Sequence, residues 1–490
     1  MPAPKPDALR KDYEEARAMA LDAMAEVDVH EGREDDATAL LTEAAGMDPN
    51  AEETSELQGQ VAYDKHDHAT ALKDWERALV KEDVLDKRRR AEARELYGVA
   101  YGGNATGLDA ELDAEYRALF PLPFAPAKPG AVTGGHAVLL ELFTGSGCPP
   151  CVGGDMAVDG LMEAYPKSQL VALSMDLHIP EPDPLANPDT EGEADVYGVA
   201  HTPSYVMDGG MQEVHGGGRE DGKELYTKLA GVLDKDAKVA PSVELALTAQ
   251  MGADGKVTAQ AVVSAKDEKA VKAQIAAETD ALKPEPKPVV KAGAKAGGKA
   301  GAKVDSKAGA AKAAAPVAAV VKPDVPKLQL EFALVEDEVR YSGENGVRFH
   351  RMVVRALSPE PATVKGAAAV AAGMTGRAAG GASAGPIAGL IAGQIAKPIA
   401  GPIVVEPGVS ATVPVAFDPQ AISTRLKAYL AEYAMHNDRF GPIEFLSIVT
   451  TMDPKHLGVA AWVEDATTHH VLQVAYVPLA VADAKEEAAR

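Results

Sequence analysis

The stretch FTGSGCPPCVGGD, residues 143–155, holds Cys148 and Cys151, the only two cysteines in a chain of 490 residues. It closes AVLLELFT (137–144), a short apolar run of buried-strand character. A helical pattern follows it, with Met156, Leu161, Met162 and Tyr165 on the apolar side. This order places Cys148 at a helix N-terminus. Unpaired backbone N–H groups and the helix dipole favour negative charge there, which lowers a thiol pKa and raises the thiolate fraction. Pro150 suits a first helical turn, where a missing N–H costs nothing. Cys151, one turn on, is close enough to displace a mixed disulfide, so the pair can cycle between dithiol and disulfide. The expectation is an ionised, client-accessible Cys148.

Outward from this motif, residues 131–238 alternate strand and helix signals. LVALSMD (170–176) reads as a second strand and DTEGEADVYGV as a short helix. SYVMDGG and MQEVHGG read as a hairpin across Asp208-Gly209-Gly210, and REDGKELYTKLAGVLDK as a closing amphipathic helix. In GVAHTPSYVMDGG, Thr202-Pro203 stands just before a strand, about fifty residues after the cysteines.

Strand, CPPC, helix, strand, helix, Thr-Pro, hairpin, helix: this arrangement resembles the thioredoxin family over 131–238. The resemblance implies a thiol–disulfide oxidoreductase acting on protein cysteines, with Cys148 attacking and Cys151 resolving. It also implies that Pro203 is a cis proline packed against the dithiol, and that Thr202 contacts an extended peptide substrate. No bound cofactor is implied, because the redox equivalents reside in the two sulfurs. The chain departs from thioredoxins proper at Gly147, where a Trp precedes the first Cys, and at Pro149, where they carry Gly. Leu142 stands where they bury an acid. Its neighbour Glu141 points to the opposite face by strand alternation, which leaves water or Glu141 as proton acceptor.

Other readings of these residues are weaker. Zinc takes about four ligands; a CxxC supplies two, and nothing in the spacing of His178, His201 or His215 completes the set, so no metal is expected. A peroxiredoxin-like reading would put Thr three residues before the reactive Cys, where this chain has Gly145. A dithiol that merely braces its loop remains open, and with it a redox-silent interaction scaffold. The loop DLHIPEPDPLANPDTEGE (176–193) reads as a solvated lid, with His178 the one side chain placed to position a substrate or tune Cys148.

The flanks differ in kind. Residues 1–120 read as helices with an internal repeat: Ala37, Leu41 and Ala44 recur as Ala71, Trp75 and Ala78, at an offset of 34 residues. With Gly59 and Asp48-Pro49 at the close contact and turn, this resembles the tetratricopeptide repeat, which implies a surface for a partner protein. Pro-rich FPLPFAPAKPG (120–130) marks a boundary. Residues 242–480 alternate with period two, as in KLQLEFALVEDEVRY, VRFHRMVVRAL, ATVPVAFD, IEFLSIVTT, GVAAWVED and HHVLQVAYVPL, and read as an antiparallel β-sandwich interrupted by the helix AISTRLKAYLAEYA. Its RFHR and THH clusters read as surface residues. Two low-complexity inserts break it, 283–326 and 366–405. The first carries nine Lys against Glu285 and Asp305 between Lys283 and Lys322 and reads as a flexible basic loop; the second repeats PIAG LIAG QIAK PIAG. The fold class is therefore multidomain α+β.

A hydrophobic share of 46% suffices for real cores, and a chain of this length suggests about three domains. The net charge of −24 argues against a general nucleic-acid binder. No membrane span is evident; Ala378 to Ala396 lacks charge but is Ala/Gly-rich and holds Pro386. The family resemblance implies the periplasm or cell envelope, whereas MPAPKPDALRKDYEEARAMALD shows no basic region followed by an apolar run.

Overall fold

A computed structural model describes residues 6–48, 51–80, 87–103, 105–127, 136–282, 326–357, 403–438, 441–445 and 447–479. The protein is mixed α+β, with helices at the N-terminus and antiparallel strands at the C-terminus. The first insert up to residue 325, and the second up to residue 402, lie outside the described residues.

The helical region runs α1 (Pro6–His30), α2 (Glu34–Met47), α3 (Glu52–Asp64), α4 (His68–Leu79), α5 (Lys87–Ala100) and α6 (Leu108–Leu119). The repeated triads have the same role in two helices. Ala37, Leu41 and Ala44 of α2, and Ala71, Trp75 and Ala78 of α4, are all buried. Small residues on either side of a large one let helices approach closely. Gly59 of α3 shows how closely: a Cβ there would lie 2.3 Å from Trp75 Cδ1. The indole N–H donates to the Glu56 carbonyl at 3.2 Å. The α3–α4 turn is held by Asp67, which caps α4 by accepting from the Thr70 N–H at 3.2 Å.

The central unit runs β1 (Val138–Thr144), α7 (Cys151–Ala164), β2 (Leu170–Asp176), α8 (Pro188–Tyr197), β3 (Ser204–Met207), β4 (Gly210–Met211) and α9 (Gly222–Asp236). Strand β1 is buried at every residue, Glu141 included, as a central strand covered on both faces is. It pairs in parallel with β2 and antiparallel with β3, and β3 pairs with β4. Val138, Leu140 and Leu142 face α7 and α9. Leu139 and Phe143 share the opposite face with Val171, Leu173, Met175 and Ala194. The β3–β4 turn takes positive φ at Asp208 (42°) and Gly209 (81°), as a tight hairpin demands. Of MQEVHGG, only Met211 continues into the short β4.

The C-terminal strands continue this sheet. In chain order they are β5 (Val243–Met251), β6 (Val257–Ala265), β7 (Leu328–Glu336), β8 (Val339–Arg340), β9 (Phe349–His350), β10 (Val353–Leu357), β11 (Ile403–Val405), β12 (Ser410–Phe417), β13 (Asn437–Asp438), β14 (Gly441–Pro442), β15 (Leu457–Asp465) and β16 (Val471–Pro478). The order β16-β15-β7-β10-β2-β1-β3-β4, with β11 also on β7, makes a nine-stranded sheet among the described residues. Strand β10 joins β2 in parallel, and the Ser174 N–H donates to the Met352 carbonyl at 2.9 Å. A second sheet, β12-β6-β5, lays Val257, Ala261, Val263, Val413 and Phe417 over Leu330, Phe332, Leu334, Val459 and Ala461 of the large sheet.

Several local expectations are corrected. Residues 403–405, at the end of the second insert, pair as β11. IEFLSIVTT (443–451) forms no strand among its described residues. Helix α10 (Glu268–Ala281) was not anticipated, although Asp267 caps it through the Ala270 N–H at 2.9 Å. AISTRLKAYLAEYA is helix α11 (Pro419–Tyr433). The clusters expected at the surface are only partly there: Arg348 is wholly buried and His350 and His470 are buried, whereas Phe349, Arg351 and His469 are half-buried and Thr468 is exposed.

Arg348 joins the helices to the sheet region. Its Nε donates to Asp113 of α6 at 2.7 Å, and its Nη1 donates to the Leu79 and Val80 carbonyls. Arg340 Nε meets the same Asp113 oxygen at 2.7 Å.

Candidate redox site

Cys148 and Cys151 form a disulfide, with Cα atoms 5.3 Å apart. A tight turn carries the chain from β1 to α7: the Cys148 N–H donates to the Gly145 carbonyl at 3.0 Å and the Cys151 N–H to the Cys148 carbonyl at 3.1 Å. The first helical residue is Cys151, and Pro150 occupies the cap position rather than the first turn. Cys148 thus lies one turn ahead of the helix proper.

Thr202 and Pro203, which lead into β3 beside β1, come to this turn. The Thr202–Pro203 bond is cis. Thr202 Oγ1 lies 3.2 Å from Cys148 Sγ and 2.9 Å from the Ile179 carbonyl; its single proton serves one or the other. The glycine run at 216–218 then closes over the turn. The Gly217 N–H donates to the Pro150 carbonyl at 2.8 Å, and the Gly153 N–H donates to the Gly217 carbonyl at 2.9 Å. A Cβ at Gly216 would lie 2.3 Å from the Pro150 oxygen, so only glycine permits this approach.

Both sulfurs are enclosed. Cys148 is 1% exposed and Cys151 is 0% exposed, against the expectation of an accessible Cys148. Two loops pack on the residues leading into it. One is 177–183, whose Ile179 carbonyl would lie 2.7 Å from a Cβ at Gly145. The other is 342–346: the Asn345 N–H donates to the Ser146 carbonyl at 3.0 Å, and a Cβ at Gly343 would lie 2.2 Å from that oxygen.

The first of these loops is not the solvated lid expected of it. Asp183, Leu185 and Asn187 are buried. The Asp183 carboxylate accepts from the Ser146 and Leu185 N–H groups. His178 stacks on Tyr433 of α11, with ring centroids 3.6 Å apart. Its Nδ1 accepts from the Asp183 N–H at 2.9 Å, and burial pushes its pKa down to about 3. It is a neutral packing residue. His201 and His215 are exposed.

The acids are arranged as alternation predicts, with one addition. Glu141 is buried on the face away from α7, and burial, then Glu193 and Glu464, holds its carboxyl well above the usual range. The addition is Asp155. Its place four residues after Cys151 puts it one turn along the same side of α7, where its Oδ1 accepts from Thr144 Oγ1 at 3.0 Å. Burial, reinforced by Asp159, holds the Asp155 carboxyl well above its ordinary value. Asp159 is itself pushed up to about 7, chiefly by burial. Both line a cavity of about 20 Å³ with Thr144, Ser174, His350 and Arg351, room for a single water molecule. The helical period after Cys151 was the signal that could have pointed to Asp155.

No family model, curated protein or solved structure matches the chain. Among the described residues no helix is long and apolar enough to cross a membrane.

Proposed function

We propose that the chain is a thiol–disulfide oxidoreductase of thioredoxin-like architecture, acting on protein cysteines through Cys148 and Cys151. The observation that carries this reading is the meeting of three features: a disulfide at the mouth of α7, a cis Thr202–Pro203 bond, and Thr202 Oγ1 at 3.2 Å from Cys148 Sγ. The β1-α7-β2 and β3-β4-α9 halves around β1 support it as the surrounding fold.

In the oxidising direction, a client thiolate attacks Cys148 Sγ. A client–Cys148 disulfide forms, the Cys148–Cys151 bond breaks, and Cys151 leaves as thiolate and takes up a proton. A second client thiolate then attacks the client sulfur of that bond and releases Cys148 as thiolate. The client is oxidised by two electrons and the chain's disulfide is reduced; the reducing direction is the reverse. Asp155, one turn below Cys151 with a carboxyl that burial holds well above its ordinary value, is the acid placed to supply the Cys151 proton. Thr202 and Pro203 form the wall along which an extended client lies. The tetratricopeptide-like α1–α4 region recruits a partner protein, and the two-layered β region, read as a sandwich half, braces the unit. The cell envelope is the compartment that suits such chemistry.

A second reading has its own support: with sulfurs 1% and 0% exposed, the disulfide is a brace inside a redox-silent scaffold. Insulin reduction and oxidative refolding of a reduced protein separate the two. Turnover that disappears in Cys148→Ser is the expected result. Turnover no higher than in that variant leaves the scaffold alone standing.

A further inference from the structure

At the end of β1 away from the disulfide, five segments far apart in the chain bring two imidazoles and three carboxylates together. His136 precedes β1, Asp208 lies in the β3–β4 turn, Asp236 ends α9, Glu278 is in the third turn of α10, and His470 precedes β16. The four other than His470 are at most 1% exposed, and His470 is 8% exposed. His136 Nε2 lies 2.8 Å from Asp208 Oδ2 and 3.5 Å from Glu278 Oε1. His470 Nε2 lies 2.7 Å from Glu278 Oε2. One ligand atom each from His136, Asp236 and Glu278 fall within 4.8 Å of one another.

Hydrogen bonding accounts for only part of this group. The fully buried Asp236 carboxyl meets that of Asp208, a contact between two acids that needs a shared proton, and His136 Nδ1 has no hydrogen-bond partner. With all three carboxylates ionised, even two protonated imidazoles leave a net negative charge out of water, which burial penalises unless protons or a cation offset it. A divalent cation removes that excess without a proton shared between Asp208 and Asp236.

We propose that His136, Asp208, Asp236, Glu278 and His470 form a structural site for a first-row divalent transition-metal ion. Mixed imidazole and carboxylate donors suit Zn²⁺, Mn²⁺ or Fe²⁺, whereas Mg²⁺ and Ca²⁺ favour all-oxygen sets. The surroundings have the features of an outer shell: the Leu139 N–H donates to Asp208 Oδ1 at 2.7 Å, and Gln274 Nε2 donates to Glu278. The enclosure marks the site as structural, since a catalytic ion keeps an open position. It ties α10 and β16 to the central unit, roughly 20 Å along β1 from the disulfide, and does not depend on the redox reading.

The test uses the untagged full-length chain, stripped with a chelator and re-equilibrated with Zn²⁺ or Mn²⁺, with metal content and thermal midpoint measured on the same samples. About one tightly held ion per chain, a midpoint that falls on stripping and recovers on re-addition, and affinity weakened more than about 100-fold in Asp236→Asn and Glu278→Gln are expected. The Cys148→Ser, Cys151→Ser double variant keeps its metal. Should both cluster variants fail to fold, Co²⁺ added to the stripped native chain decides the matter. Visible d–d bands without thiolate charge transfer, bleached by stoichiometric Zn²⁺, support the site. A native chain that binds no ion tightly, or cluster variants that bind as well as the native chain, overturns the proposal and leaves a cluster held together by shared protons.

Discussion

The two ends of β1 bury polar chemistry in opposite ways. At its C-terminal end, the dithiol turn is contiguous, five residues after Phe143, and the fold closes around it with glycines and loops. At its N-terminal end, no two members of the charged cluster lie within 20 residues of each other in sequence, and the fold itself assembles the group. A local motif can be enclosed late, by loops free to move. A cluster built from five elements forms only once those elements have packed. The first arrangement suits chemistry that must be opened to a client, and the second suits a fastening.

The largest effect expected is therefore the most one-sided. Cys148→Ser abolishes disulfide exchange with a client while metal content and thermal midpoint at the far end stay close to native. Loss of metal from this variant would mean that the two ends are coupled through β1, and the contrast between them would fail. Next in size is Gly343→Ala. The added methyl meets the Ser146 oxygen at 2.2 Å, so either the loop at 342–346 or the turn into Cys148 must yield. Alkylation of the reduced chain by iodoacetamide, followed by mass spectrometry, is expected to run several-fold faster at Cys148 than in the native protein. An unchanged rate would mean that this loop does not limit access.

The same contrast explains what could be read beforehand. The meeting of Cys148 and Cys151 with Thr202 and Pro203 was legible because a short spacing and a Thr-Pro before a strand are local signals. So was the Ala37/Leu41/Ala44 repeat, because a packing surface within one helix is periodic. His136, Asp236 and Glu278 carry no local signal; each is an ordinary polar residue until the sheet order is known. The enclosure of the sulfurs was illegible for the same reason, since Gly343 and Asn345 arrive from about 200 residues away. Alternation sends Glu141 to the far face, whereas Asp155 is signalled only by the helical period that follows Cys151. The continuation of the central sheet by β10 hung on a parallel pairing between Val353 and Ser174, which neither strand's composition announces.

Thr202→Val sharpens the account of the dithiol end. Oγ1 is the donor nearest Cys148 Sγ, and a hydrogen bond to a charged acceptor contributes about 1.5–3 kcal/mol. Because the hydroxyl also serves the Ile179 carbonyl, part of that remains unused, and the Cys148 thiol pKa is expected to rise by about one unit. Thiolate absorbance at 240 nm across a pH series measures it. No rise would assign the hydroxyl to Ile179 alone.

The smallest effect concerns the cavity beneath the turn. The Asp159 carboxyl is pushed up to about 7, by burial first and against the pull of Arg351, whereas an unfolded Asp titrates near 3.9. Between those values the folded chain holds a proton that the unfolded chain has released, so stability falls as pH rises through the window. The contribution is fully present below about pH 4, is lost through about pH 7, and does not change above that. Asp159→Asn holds no such proton in either state, so its urea midpoint should decline less between pH 5 and 7 than that of the native chain. Parallel declines would show that Asp159 is hydrated in the fold. The dithiol end would then be wetter than its enclosed sulfurs suggest, and an opening for clients would have to be sought through the cavity rather than through the loops.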